Sequence, residues 1–305
     1  MSRAVRIVAA ALLALLGWGV AAPSYAASCC GGASNTDQFG LPKWRQALIG
    51  VSPQVSHAWA VRDAGGNQLE GAWRSDALRL VLGGAYRVAP DWQVSAAVPL
   101  LVNRVGAGRM SSAGGGLGDV GLQVRYELID EDSCFARPVT EMAWDEVKPS
   151  VHFFARAAAP SGRPTSLASD GLGASVTGRG LWTADAGLEV TKVWGRFGNS
   201  VGFALGGEAP DRSSADGVRA FRWEASGGLL VFPQYQRSIG LFLSHRQERA
   251  AELRVESTQL GLTGTLAGKG DWWFRVSLSA AGLVAGRSTP VSLDGFVTAA
   301  RFLTF

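Results

Sequence analysis

Few residues in this chain have the type and spacing to do chemistry, and the adjacent pair Cys29-Cys30 is the most individual of them. Ala26-Ala27-Ser28-Cys29 is a degenerate form of the box that directs lipidation of an exported cysteine; it lacks the usual Leu three positions before Cys. If Cys29 carries lipid, Cys30 and the distant Cys134 remain as a pair for a disulfide, which persists in an oxidising compartment. Without lipid, either Cys29 or Cys30 can pair with Cys134, or the adjacent thiols can hold a soft ion such as Cu(I). Two unsupported thiols make a poor copper site, and adjacent cysteines in an exported tail with no site at all are the plainest reading. No cofactor is expected.

Hydrolysis would need a nucleophile with its base. His57, His152 and His245 are the only histidines, they fall in separate segments, and none has a metal-type spacing or a Ser/His pairing in sequence. Gly114 to Gly118 is rich enough in glycine to suggest a phosphate loop, but no Gly-Lys-Ser/Thr follows it. An enzyme is therefore not expected, with lipid hydrolysis the residual alternative.

The elements that must position anything in this chain are strands. Asp119 to Leu128 alternates apolar residues with charged, amide or glycine residues at a strict period of two. The pattern recurs at Leu78 to Val88, Trp182 to Thr191, Phe221 to Val231 and Trp272 to Ser279. About twelve strands follow, near residues 46–61, 74–88, 92–104, 119–130, 148–159, 180–193, 197–207, 219–232, 235–247, 253–266, 271–285 and 293–305. Strands of about 9–11 residues with one apolar and one polar face suit a barrel closed in lipid, since only closure pairs every backbone group away from water. The fold class is all-β: a transmembrane antiparallel up-and-down β-barrel.

The start of the chain fits export. Arg3 and Arg6 precede an apolar run from Ile7 to Gly17, and Ser24-Tyr25-Ala26 forms a small-x-small cleavage site. The domains are then a signal peptide at 1–26, a periplasmic segment at 27–43 and a barrel at 44–305. No other run is long and apolar enough to span a bilayer as a helix. Hydrophobic residues make up 47% and charged residues 18%, and the 40 Gly would weaken helices while suiting turns and small inward positions. A net charge of +4 with no Lys/Arg cluster excludes a nucleic-acid partner.

Connections alternate in length. Ala89-Pro90-Asp91, Trp194-Gly195-Arg196, Pro233-Gln234 and Ala267 to Gly270 are tight, whereas Asp63 to Trp73, Gly106 to Gly118, Pro160 to Gly178 and Pro210 to Gly217 are long. Short turns belong to the periplasmic side and long loops to the outside, so both termini should be periplasmic. Asp130 to Val147, with Cys134, breaks the rule as a long periplasmic excursion. Trp44, Trp59, Trp73, Trp92, Trp182, Trp194, Trp223, Tyr235 and Trp272 fall near strand ends, as in the aromatic girdles of such barrels. The chain closes on a terminal Phe305, with Arg301 on the lipid-facing parity.

Gly115-Gly116-Leu117-Gly118-Asp119-Val120 leading into the alternating strand, then Pro160-Ser161-Gly162 closing the next, resembles outer-membrane transporters grouped as the meta-pathway phenol-degradation family. The similarity runs from about residue 44 to the end. It implies passage of small, often apolar or aromatic compounds, and it brings no substrate residues with it.

Opposite the apolar stripe, Arg79, Arg87, Arg125, Glu127, Arg156, Asp185, Glu189, Arg222, Glu224 and Arg275 are the expected lining of a narrow charged lumen. Their mixed signs allow either a selective pore or an interior plugged by its own ion pairs. The leading expectation is a passive channel for a small solute in the outer membrane of a Gram-negative cell, in contact with its lipid. The alternative is a non-conducting barrel that anchors or receives a periplasmic protein partner through residues 27–43 and 130–147.

Overall fold

In the computed structural model the described residues are 39–42, 45–129, 149–194, 196–210, 220–234, 237–250, 253–268 and 270–303. The three cysteines, Trp44 and Tyr235 lie outside them, as do the segments 130–148 and 211–219.

Thirteen strand segments form a single antiparallel sheet. They are β1 (Ala47–Arg62), β2 (Gln68–Ala89), β3 (Trp92–Ala107), β4 (Met110–Leu117), β5 (Val120–Ile129), β6 (Ser150–Ala159), β7 (Leu181–Trp194), β8 (Phe197–Pro210), β9 (Ala220–Gln234), β10 (Arg237–Ala250), β11 (Leu253–Ala267), β12 (Trp272–Arg287) and β13 (Thr289–Leu303). β1 pairs with β13 and with β2, and β2 with β3, so the sheet closes on itself. β5 pairs with the first half of β3 (Trp92 to Ala97), and β4 pairs with its second half (Leu100 to Ala107). β4 and β5 are thus one wall position broken at Gly118-Asp119, and the wall is a closed barrel of twelve.

That break corrects the expected loop from Gly106 to Gly118. β3 and β4 make a hairpin there, turning at Gly108, whose φ of +58° a glycine adopts without a Cβ clash. Asp63 to Trp73 is shorter than expected for a similar reason, because β2 already begins at Gln68. Gly- and Ser-rich composition hides such strand extensions, since they carry no apolar alternation.

Side-chain parity follows the sequence. Leu78, Leu80 and Leu82 on β2, Leu100 and Val102 on β3, Leu188 and Val190 on β7, Leu241 and Leu243 on β10, and Leu260 and Leu262 on β11 all point outward and are exposed. A continuous exposed apolar belt of this size is the lipid-facing surface of a membrane-spanning barrel. Trp92, Trp194 and Trp272 stand outward at the end with the tight turns, while Trp182, Trp59 and Trp223 stand toward the other. β1 begins and β13 ends at the tight-turn end, the periplasmic side by loop length. Arg301 faces outward there, opposite Trp272, where its stem can reach the headgroup level.

The two buried apolar clusters of the inward face lie in its periplasmic half, beside buried Gln93, Ser95 and Arg275. Phe39, Leu41, Leu48, Val81, Ala85, Trp273, Ala300 and Phe302 form one buried cluster, and Val193, Leu230, Phe232 and Phe242 another. Phe39 and Leu41 belong to no strand. The chain ahead of β1 enters the lumen, where the Leu41 N–H donates to the Gln93 Oε1 at 3.1 Å. Phe39 rests on Gly83 so closely that a Cβ there would lie 2.6 Å from the ring's Cδ2.

Candidate functional site

The lumen wall opposite the entering chain is built from alternate residues of β5 to β10, and all ten charges expected on the lining lie on the inward parity. Arg125 of β5 meets Glu189 of β7 at 3.2 Å, both largely buried. Arg156 of β6 lies 3.6 Å from both Asp185 of β7 and Glu224 of β9. Its guanidinium also sits 5.0 Å over the Phe154 ring. Arg222 of β9 closes the ladder by donating from Nε to Asp185 Oδ1 at 2.8 Å.

β8 makes that ladder geometrically possible. Its inward residues run Gly198, Ser200, Gly202, Ala204 and Gly206, so side chains of β7 and β9 meet across it. A Cβ at Gly206 would collide with the Asp185 carboxylate, 2.9 Å from its Cγ. In front of these small residues, Phe154, Arg156, Glu189, Glu224 and Ser226 bound a small recess of about 10 Å³, room for about one water.

Arg125, Arg156 and Arg222 therefore face Asp185, Glu189 and Glu224, three cations against three anions. The remaining expected lining residues are held differently. Arg87 donates to the carbonyls of Pro42, Arg45 and Pro90 at the periplasmic rim. Glu127 stands near that rim, its backbone N–H bonded to the Asp91 carbonyl. Arg275 is buried, 3.3 Å from the Thr263 hydroxyl and 5.7 Å over the Phe296 ring. Arg79 is the exception: it is exposed to the interior and has no ion pair among the described residues. Its register neighbour Gln54 keeps a buried Nε2 with no partner.

The outer mouth is crossed by the loop between β6 and β7, which holds one short 3-10 turn at Thr165–Leu167. On one side Asn103, inward on β3, donates to the Val176 carbonyl at 2.8 Å, and Thr177 donates to the Leu117 carbonyl at 2.6 Å. On the other, Arg179 reaches Glu208 of β8 and Glu248 of β10. At its base, Ser161 donates to the Gly118 carbonyl and accepts from the Val120 N–H. Asp119 accepts from the Gly162 and Arg179 N–H groups at 3.0 and 2.8 Å. The Gly-Leu-Gly-Asp and Pro-Ser-Gly elements thus meet as a clamp that fastens this loop at the break between β4 and β5.

The histidines are dispersed. His152 faces the lumen. His57 and His245 face outward, the first bonded to Asp76 at 2.6 Å, the second to Thr258 at 2.9 Å and 5.1 Å from the Trp223 ring. His57 has a carboxylate and His245 a hydroxyl, so neither histidine holds both partners a hydrolytic relay needs among the bonds of the described residues.

Parity could also have found Arg246 and Glu248, which alternate inward on β10. Phe39 and Arg179 lie outside the strands, where no periodic signal marks them.

No family profile matches the sequence, and no curated protein is similar to it. Solved structures do match. The COG4313 outer membrane channel from Pseudomonas putida F1 superposes with a TM-score of 0.66 at 15% identity, over 89% of this chain and all of that one. The β domain of the Bordetella autotransporter BrkA gives 0.50 at 12% identity, over 84% of this chain and all of that one. With the exposed apolar belt and the closed twelve-position wall, these likenesses establish the fold as a membrane-spanning β-barrel of the outer-membrane type.

Proposed function

We propose that this chain is a passive outer-membrane channel for small solutes that carry an apolar body and a polar group. The observation that carries the reading is the mixed lining of the lumen: an ion-pair ladder across β5 to β9 shares the interior with apolar clusters that include Val81, Trp273 and Phe302. A solute moving by diffusion would meet hydrogen-bonding groups and apolar walls together, with no chemistry required. The resemblance to the meta-pathway phenol-degradation family points to the same solute class. The likeness to the Pseudomonas putida outer membrane channel supports a channel as an analogy of fold.

Phe39 favours a second reading, because it closes the lower lumen from the periplasmic side. A barrel stopped in this way could instead anchor a periplasmic partner through the segment preceding Phe39. Single-channel recording on the folded protein in a planar bilayer separates the two. Discrete openings, enlarged in Phe39→Ala, support the channel; a folded barrel silent in both forms supports the anchor.

A further inference from the structure

The outward residues of β2 run Val88, Tyr86, Gly84, Leu82, Leu80 and Leu78 before reaching Asp76 and Arg74, and those of β3 run from Trp92 to Val102 before reaching Arg104. Each apolar stretch covers ten residue steps. At about 3.3 Å per residue and a tilt of about 40°, that is roughly 25 Å, the height of the hydrocarbon band around such barrels. The next level is therefore the headgroup layer of the outer leaflet.

Register places His57, Asp76 and Arg104 in one row across β1, β2 and β3 at that level. The row's one carboxylate is engaged, since Asp76 Oδ1 lies 2.6 Å from His57 Nδ1. Arg104 and Arg74 are exposed and have no ion pair among the described residues. They are diagonal neighbours on adjacent strands, because Arg74 is opposite Gly106. The Arg74 side chain lies across that glycine, its Nε 3.0 Å from where a Cβ would sit. On the far side of Arg104, the outward residues Ser111 and Ala113 of β4 bring no charge.

We propose that Arg74 and Arg104 bind the phosphate of a phosphorylated outer-leaflet glycolipid whose acyl chains lie along Leu78, Leu80, Leu100 and Val102. Two guanidinium forks on one patch suit a phosphate's several acceptor oxygens. The apolar stripe directly below fixes the occupant as a lipid, not a free anion. The site is separate from the lumen and holds whether or not the lumen conducts.

The test uses folded protein in a neutral detergent and follows the midpoint of heat-modifiable gel mobility. Diphosphoryl lipid A, the same lipid with its phosphates removed, and inorganic phosphate are titrated in turn. Diphosphoryl lipid A should raise the midpoint at the lowest concentration. Arg74→Gln with Arg104→Gln should weaken that response roughly thirtyfold, as expected for two lost attractions to an anionic headgroup, while Arg249→Gln on β10 should not. Should the double variant fail to fold, Arg104→Gln alone carries the comparison. Equal responses to the two lipids, an equal response in the double variant, or a response to inorganic phosphate matching that to the lipid would overturn the proposal.

Discussion

The Asp119 carboxylate occupies the space beside the Gly178 α-carbon that any side chain at 178 would need, 2.9 Å from Asp119 Cγ to the position of a Cβ. Residue 178 must be glycine for the loop to close on the carboxylate, and residue 119 must be acidic to receive the two N–H groups that follow Ser161 and Gly178. The motif that reads in the sequence as a turn before a strand is half of a clamp, with its other half about 40 residues downstream. The clamp decides whether the outer mouth is covered.

Replacing Asp119 by Ala should release that loop without unfolding the barrel. Hydrogen bonds to a charged acceptor contribute about 1.5–3 kcal/mol each, and two are lost. Trypsin should then cut the folded, detergent-solubilised protein after Arg179, a bond that the native clamp protects. Unchanged resistance would mean that the contacts of Thr177 and Asn103 hold the loop alone.

Acid should loosen the same loop only well below neutrality. Asp170, in the loop and outside the strands, is held below the ordinary 3.8 by the Ser175 hydroxyl and N–H and then the Ala174 N–H. A depressed carboxylate stabilises the folded loop above 3.8, and the contribution is lost as pH falls through the lower folded value. Trypsin resistance, read after return to assay pH from a brief incubation with a crosslinker that traps open loops, should therefore be the same for incubation at pH 7 and pH 5. Asp170→Asn should lower resistance at pH 7 itself, because the amide replaces one acceptor oxygen by a donor.

Breaking the Arg125–Glu189 pair should lower stability sharply. Both side chains are largely buried, at 11% and 5% exposure, so removing one takes a close counter-charge from the other. Glu189→Gln is expected to cost about 3–5 kcal/mol in urea unfolding, with much of it recovered in Glu189→Gln combined with Arg125→Met. A loss below about 1 kcal/mol would mean that water solvates this pair as it does surface pairs.

The wall, its closure and the inward parity of all ten charges were legible because a strand's side chains alternate strictly, so one residue fixes the face of its neighbours. Leu78 outward and Arg79 inward could be read from composition alone. The pairing of Arg125 with Glu189 could not, because it depends on β5 and β7 approaching across β6, a matter of barrel curvature. Nor could the Phe39 stopper, since one aromatic in a polar segment has no period. The hairpin of β4 was hidden by Ser111, Gly114 and Gly115, whose small side chains carry no pattern of burial.

Register also changes which lumen arginine should govern ion selectivity. Arg125 and Arg222 lie on the expected face, but each is matched to a carboxylate on the next strand but one, so altering either disturbs the ladder before it alters the field seen by a passing ion. Arg79 differs: it stands exposed in the lumen beside the unpartnered Gln54 Nε2, and its stem packs opposite Leu101 of β3. An exposed guanidinium in a confined passage attracts anions and repels cations, and its charge reverses without breaking a direct ion pair, the attracting Asp294 and Asp119 carboxylates standing beyond contact distance. Arg79→Glu should therefore shift the reversal potential in a salt gradient toward cation preference while leaving the heat-modifiable mobility midpoint close to that of the parent. Arg125→Glu should do the opposite, moving the midpoint strongly. A reversal potential unchanged by Arg79→Glu would place the conducting path away from the β1–β3 wall.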